Sequence, residues 1–376
     1  MNIQVQSAPR SGRLRIVTSS PKPIVKGRGA LSNPAGRFEI RITEVFDDGW
    51  GEDPTPDTQP ATQLFPDKTK NIIARNQSPD VAFDQSINPY KGCEHGCVYC
   101  FARPTHAYLD LSPGIDFETK IFYKTNVRER IVEAIGNPGY VCSPIALGAN
   151  TDPYQPVEKK LKITRAILET LSAWRHPVTI VTKGALVLRD LDILEEMAAH
   201  GLAQVTMSIT TLDNHLKTTL EPRAAGPAAR LRCVRELTKA GVPVSVLMAP
   251  VIPGLNDDEI ESVAAACAAA GATRLGYVLL RLPYELKELF REWLHAHVPE
   301  KAGRVMKLLR EMRGGRDYDS QWGQRQKGTG PLAELLARRF ELARKKYDLD
   351  GSRALDHLRT DLCRDPNAVE QSDLFV

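Results

Sequence analysis

From Asp80 onward, short apolar runs rich in β-branched residues alternate with segments whose apolar residues recur at helical spacing. This alternation constrains the fold more than any other feature of the chain. Residues 143–149, 178–182, 203–209, 242–249 and 274–280 are apolar in runs rather than at every second position, the pattern of strands covered on both faces. Residues 126–135, 162–174, 189–200, 227–240 and 257–270 read as helices. Gly136, Gly201, Gly241 and Gly271 follow four of them, where a left-handed residue is expected. With residues 87–91 as a first strand there are six βα units, and parallel strands joined by helices require right-handed crossovers. Six units build either an open doubly wound sheet or an incomplete barrel. In both, ligands are expected at the C-terminal ends of the strands.

Residues 80–300 are therefore expected to form an α/β core, with an N-terminal extension over residues 1–79 and a C-terminal extension over residues 301–376. Before Glu39 every charged residue is basic (Arg10, Arg13, Arg15, Lys22, Lys26, Arg28, Arg37), set among Ser, Pro and Gly, so this stretch is expected to be largely flexible. Residues 37–46 alternate enough for a short strand or hairpin, and residues 47–67 read as a linker. Beyond the sixth strand, residues 284–296, 302–313 and 332–346 carry helical periodicity and form a helical cap. The Gly-rich stretch 314–330 interrupts it, with Tyr318 and Trp322 among Arg316, Arg325 and Lys327. Such a loop suits a lid or contact with bases and phosphates. The formal net charge is only +4, too small for charge alone to indicate a nucleic-acid partner. The most apolar stretch, 263–272, is far shorter than the ~20 residues that cross a bilayer, and no apolar h-region follows Met1. No membrane partner and a cytoplasmic location are expected.

Three of the seven cysteines fall in one run, Cys93-Glu-His-Gly-Cys97-Val-Tyr-Cys100. An odd count with such clustering is no disulfide framework, and clustered thiols in a reducing compartment serve as metal ligands. The run follows the first strand, so the thiols belong to the end of the sheet where chemistry is expected. Three thiolates leave one metal position open, whereas a structural zinc site is closed by four protein ligands. His95 or His106 would close one, which keeps a non-enzymatic zinc or iron–sulfur module as the alternative to an enzyme. Cys233 and Cys267 fall on helical patterns and are expected to be small buried hydrophobes. Walker-type and Gly-x-Gly-x-x-Gly loops are absent.

The C-x3-C-x2-C spacing with Tyr99 just before the third cysteine resembles the signature of radical S-adenosylmethionine enzymes. The resemblance implies a partial (β/α)6 TIM-type barrel in which Cys93, Cys97 and Cys100 hold a [4Fe-4S] cluster. The amino and carboxylate groups of S-adenosylmethionine chelate the fourth iron. A one-electron reductant such as flavodoxin or ferredoxin then drives cleavage to a 5′-deoxyadenosyl radical, which abstracts hydrogen from a substrate. Gly148-Ala-Asn-Thr-Asp-Pro-Tyr-Gln-Pro156, Lys183, Ser208-Ile-Thr-Thr-Leu-Asp213 with Glu221-Pro-Arg223, and Ala249-Pro-Val-Ile-Pro-Gly-Leu-Asn256 are similar to the spore photoproduct lyase-like branch. By that likeness Tyr99 sets its backbone near the adenine, Asn150 and Thr151 line the cofactor site, and Lys183 and Ser208 contact the methionine or ribose. It also implies nucleic acid as one substrate class, beside peptides and small molecules. Arg103, His106 and Tyr108 are candidates to face substrate, and Arg281 to clamp an anion. In the lyase a cysteine just after the second strand returns a hydrogen atom to the product; here that position is Asn150. Cys142 precedes the strand and is expected at its opposite end.

Overall fold

The computed structural model describes residues 27–38, 60–351 and 358–366. Its strands are β1 Gln63–Asp67, β2 Ala74–Arg75, β3 Gln85–Ile87, β4 Tyr90–Lys91, β5 Lys120–Lys124, β6 Ile145–Leu147, β7 Val178–Thr182, β8 Ala203–Ser208, β9 Val244–Val251 and β10 Arg274–Leu279. Seven of them form one sheet in the order β10-β9-β8-β7-β6-β3-β2. From β3 to β10 every neighbouring pair is parallel, which gives the six βα strands expected from the periodicity. The sheet does not close: β10 is one edge and the antiparallel β2 the other. The α/β class and the partial barrel both follow from this topology. Along β7, β8 and β9 buried residues alternate with half-buried ones such as Thr179, Gln204, Thr206 and Ser245, so one face is covered more fully than the other; helices Ile163–Ala173, Leu191–Ala199, Pro227–Lys239 and Ile260–Ala269 cross between consecutive strands. They bury Ile167, Leu171, Leu194, Val234, Leu237 and Val263 in the core.

The expected first strand is split. Pro89 has no N–H to continue a ladder, so β3 ends at Ile87, and Tyr90–Lys91 instead pairs antiparallel with β5 in a small sheet ordered β1-β5-β4. β1 lies inside the stretch read as a linker. It runs parallel to β5, with Phe65 stacked on Phe122 at 5.1 Å, and its Pro66 is tolerated because β1 is an edge. Gly201, Gly241 and Gly271 have φ of 70°, 75° and 98° as expected, whereas Gly136 has φ −77° and still donates its N–H to the Val132 carbonyl. Of residues 37–46 only Arg37 and Phe38 lie within the described residues, in a turn.

After β10 come helices Leu286–His297, Pro299–Glu311 and Pro331–Lys346, the last two opened by a proline whose missing N–H costs nothing at that position. The Gly-rich stretch between them is fastened rather than loose. The Gln326 carbonyl accepts from Leu279 N–H at 2.7 Å, Arg313 donates to the Leu280 and Gln324 carbonyls at 3.0 Å, and Asp317 pairs with Arg291 and Arg310. Among the described residues no helix is long and apolar enough to cross a membrane.

Residues 27–38 lie against the cysteine loop. A Cβ on Gly29 would stand 1.8 Å from the Gly96 carbonyl oxygen, so this approach admits only glycine. Gly29→Ala is therefore expected to lift the segment off and speed tryptic cleavage at Arg28 and Arg37, read by mass spectrometry of timed digests. An unchanged cleavage rate would show that the contact does not hold the segment.

Candidate functional site

The cysteine loop is wound tightly. Gly92 and Gly96 take left-handed backbones with φ of 82° and 69°, conformations that other residues adopt only under strain. Cys93 N–H donates to the Phe117 carbonyl at 2.9 Å and Val98 N–H to the Leu220 carbonyl at 3.1 Å. The Arg103 guanidinium grips the loop from beneath: it donates to the Cys97 and Gly96 carbonyls at 2.8 and 3.1 Å and to the Gly114 and Pro113 carbonyls at 2.9 and 3.1 Å. It also pairs with Glu118, and both side chains are fully buried. Glu118 in turn accepts the N–H groups of Gly29 at 3.1 Å and Ala30 at 2.8 Å.

Burial pushes all three thiols up, Cys97 to about 12. The charge of Asp152 and the neighbouring sulfurs add to this at Cys93, while Lys183 opposes it at Cys97 and Cys100. Among the described residues, the three Cys, His or carboxylate ligand atoms found mutually within 4.8 Å belong to a different set.

Two buried ionic knots join this loop to the strand ends. Just past β6, Asp152 accepts from Tyr154 N–H at 2.8 Å, the Thr182 hydroxyl at 2.7 Å and Lys183 N–H at 2.7 Å, and lies 3.3 Å from His95 Nδ1. Burial alone would raise the Asp152 carboxyl, but His95, Lys183 N–H and Thr182 hold it at about 2. The second knot is Glu221, paired with Arg230 and hydrogen-bonded by the hydroxyls of Tyr99 and Thr210. Burial would raise Glu221 too; Arg230 and Lys183 bring it to about 2. Arg230 also donates to the Ser208 carbonyl at 2.9 Å, and Asn256 binds the Thr210 and Pro250 carbonyls and Ile252 N–H. The sequence segments around Ser208, Glu221 and Asn256 are thus parts of one network that closes the ends of β8 and β9.

Asn150, Thr151, Lys183 and Ser208 all lie at the C-terminal ends of β6, β7 and β8, on the side of the cysteine loop. Asn150 N–H donates to Asn88 Oδ1 at 3.0 Å and the buried Thr151 hydroxyl to the Tyr90 carbonyl at 2.7 Å. Lys183 Nζ lies 5.8 Å from the Tyr99 ring centre, and Ser208 Oγ is 3.4 Å from the Ala249 carbonyl. Of the residues following the loop, Arg103 does not face outward, and neither does His106. The His106 Nε2 lies 3.1 Å from the Lys120 carbonyl, and burial lowers its ring to about 4, so it is neutral. Tyr108 is exposed. Arg281 stands over the Phe101 ring at 5.2 Å and 3.5 Å from the Tyr318 hydroxyl, while its buried Nε has no hydrogen-bond partner. Cys142 precedes β6 at the other end of the sheet, and Cys233 and Cys267 are fully buried. Sequence reasoning missed Glu118, Arg230 and Asp152 as organisers. Their one signal is a charge set among residues that bury.

Removing one partner of a buried ion pair leaves the other charge uncompensated. Glu118→Gln is expected to lower unfolding stability by about 3–5 kcal/mol, measured by urea titration; a loss under about 1 kcal/mol would contradict this account. Asp152 and Glu221 are held below their unfolded values, so their contribution is complete above about pH 4 and is lost as pH falls toward 2. Urea midpoints are expected to fall across that window, and less steeply in Glu221→Gln. An equally steep fall would exclude Glu221 as a source.

A family model described as the Radical SAM superfamily matches residues 87–267. An uncharacterized protein of Mycobacterium tuberculosis is 37% identical over 242 residues, 63% of this chain and 71% of that protein. An uncharacterized protein of Methanocaldococcus jannaschii is 29% identical over 192 residues, 51% and 69% of the respective chains. Among solved structures, a spore photoproduct lyase mutant aligns with a TM-score of 0.55 at 16% identity, covering 83% of this chain and 86% of that one. The lyase complexed with dinucleoside spore photoproduct aligns with a TM-score of 0.54 at 15% identity, covering 76% and 79%. At such identities the likeness shows a shared fold. With a family match that spans the three-cysteine loop and strands β6 to β9, the chain belongs to the radical S-adenosylmethionine superfamily.

Proposed function

We propose that this chain is a radical S-adenosylmethionine enzyme in which Cys93, Cys97 and Cys100 hold a [4Fe-4S] cluster. Tyr99, Asn150, Thr151, Lys183 and Ser208 form the S-adenosylmethionine pocket. The observation that carries the reading is the placement of three thiols on one rigid loop beside the ends of β6, β7 and β8. The donor set fits the group. Each nearby histidine has one ring nitrogen engaged, His95 Nδ1 with Asp152 and His106 Nε2 with the Lys120 carbonyl, while His106 Nδ1 is buried without a partner.

When bound, the cluster and S-adenosylmethionine supply a 5′-deoxyadenosyl radical by one-electron reductive cleavage, with a flavodoxin- or ferredoxin-like reductant as electron source. The protein's part is binding and positioning. The Lys183 backbone is fixed by Asp152, and its ammonium, whose charge favours the thiolates of Cys97 and Cys100, would also offset the methionine carboxylate. Tyr99 commits its hydroxyl to Glu221, so its backbone is the part left for the adenine. Thr151 donates its proton to the Tyr90 carbonyl and keeps its lone pairs for a donor on the cofactor.

Nucleic acid is the substrate class this surface suits best. The Arg37 guanidinium lies 5.1 Å from the Tyr108 ring centre and 4.3 Å from that of Tyr284, and both rings are exposed on the side of the cysteine loop. Exposed aromatic faces favour base stacking, while the Arg37 guanidinium between them is itself paired with Glu285 at 3.1 Å.

Anaerobic reconstitution tests the cluster. Cys93→Ala, Cys97→Ala and Cys100→Ala are each expected to lose iron and deoxyadenosine formation under a strong reductant, and Lys183→Ala to weaken S-adenosylmethionine binding at least about tenfold, a loss near 1.4 kcal/mol. Iron-free protein whose zinc is lost on Cys93→Ala, Cys97→Ala or Cys100→Ala substitution would refute the assignment. A further test concerns Asn150, whose amide N–H bond is too strong to donate a hydrogen atom as a thiol does. The reconstituted protein is expected to release deoxyadenosine yet leave a dinucleoside spore photoproduct unrepaired. Repeated conversion to thymidine pairs would show that Asn150 does not stand where the lyase-like branch carries its hydrogen donor.

A further inference from the structure

A second group of metal-ligating side chains meets at the opposite end of the sheet. Cys142 precedes β6, His176 precedes β7, and Cys363 lies in the C-terminal segment 358–366; their ligand atoms are all within 4.8 Å of one another. The segment is held in place by its backbone, with Arg364 N–H donating to the Trp174 carbonyl at 3.1 Å and Arg359 N–H to the Gly201 carbonyl at 2.9 Å.

The hydrogen bonding around His176 leaves a lone pair uncommitted. The buried ring has Nδ1 3.0 Å from the Pro177 carbonyl, an acceptor that requires the proton on Nδ1 and leaves Nε2 bare. Nε2 faces the Tyr140 hydroxyl at 2.7 Å, and that hydroxyl is also 2.7 Å from Gln85 Oε1. The Gln85 amide is oriented by its own donation to the Val141 carbonyl at 3.1 Å. One hydroxyl proton thus serves two acceptors, and one of them goes without. A cation on Nε2 removes the conflict and lets Tyr140 keep Gln85.

We propose that Cys142, His176 Nε2 and Cys363 bind a soft divalent cation, zinc by the donor set, which clasps the C-terminal segment to the base of the sheet. Two thiolates and an imidazole are a zinc set, and the adjoining cavity of about 260 Å³, lined by Tyr140, Trp174 and Asp365, has room for the fourth ligand. The site is remote from the cysteine loop. The eight residues from His176 to Lys183 span β7, roughly 23 Å at the rise of a strand. The inference does not rest on the proposed cluster chemistry, and because the ligands are far apart in sequence, metal binding acts as folding energy for the docked segment.

Metal analysis of the reconstituted full-length protein tests it, since iron then fills the cysteine loop. About one zinc per chain is expected beside the iron, with two sulfur scatterers and an imidazole at the zinc absorption edge. Cys363→Ser is expected to lose the zinc while keeping its iron, which also reports that the core is folded. The triple variant Cys93→Ala, Cys97→Ala, Cys100→Ala is expected to lose iron and keep zinc. Absence of zinc from protein supplied with it under reducing conditions would overturn the proposal. So would a Cys142–Cys363 disulfide in anaerobically isolated protein, or zinc with only sulfur or only oxygen and nitrogen neighbours.

Discussion

Arg103 is the residue on which the cysteine loop depends. A guanidinium has five N–H donors in a fixed fork, and here all five are used: on the carbonyls of Gly96, Cys97, Pro113 and Gly114 and on Glu118. Burying such a charge costs several kcal/mol, and only complete satisfaction together with a counter-charge offsets it. Glu118 completes the arrangement by binding the N–H groups of Gly29 and Ala30, so one ion pair sets the loop from below and closes it from the N-terminal side. The shape of a loop carrying three thiols is therefore braced by buried side chains. A site that must receive a bulky group in one geometry benefits from a frame that is rigid beforehand.

The two ionic knots extend that frame to the sheet. Asp152 ties the ends of β6 and β7 to His95 of the loop, and Glu221 ties the end of β8 to Tyr99 through its hydroxyl. Each carboxylate is kept ionised by donors from more than one element, so separating those elements would expose an unpaired charge to a dry interior. The knots explain how an unclosed sheet holds its strand ends at fixed spacing. A closed barrel does this through its hydrogen-bond ladder, whereas here β10 and β2 are edges and the mouth is laced by side chains.

What could be read in the chain beforehand follows from the range of each interaction. The six parallel strands were legible because their short β-branched runs recur between helical segments, although burial along β7, β8 and β9 alternates, and the three-cysteine loop because its members are near neighbours. β1 escaped because an edge strand with Pro66 looks like a linker, and the first strand was read too long because Pro89 breaks a ladder without altering the apolar pattern. Arg103 and His106 read as candidates to face substrate, since a polar residue after a motif gives no sign of which way it points; both are buried. The meeting of Cys142, His176 and Cys363 had no signal at all, because nothing in local sequence relates a residue before β6 to one near the C-terminus.

The distribution of thiols narrows the chemistry further. In α/β folds of this kind the C-terminal strand ends carry reactivity and the N-terminal ends carry stability. Three of the seven cysteines sit at the reactive end, in the loop. Cys142 and Cys363 lie together at the base of the sheet, Cys267 is buried on its helix, and Cys233 lies buried on its own helix with its thiol 3.9 Å from the Ala185 carbonyl. No thiol beyond those of the loop therefore lines the strand ends where Asn150, Lys183 and Ser208 stand. The thiols at that end are thus the three that the proposed cluster would take, which leaves the strand ends themselves to amide, hydroxyl and ammonium groups.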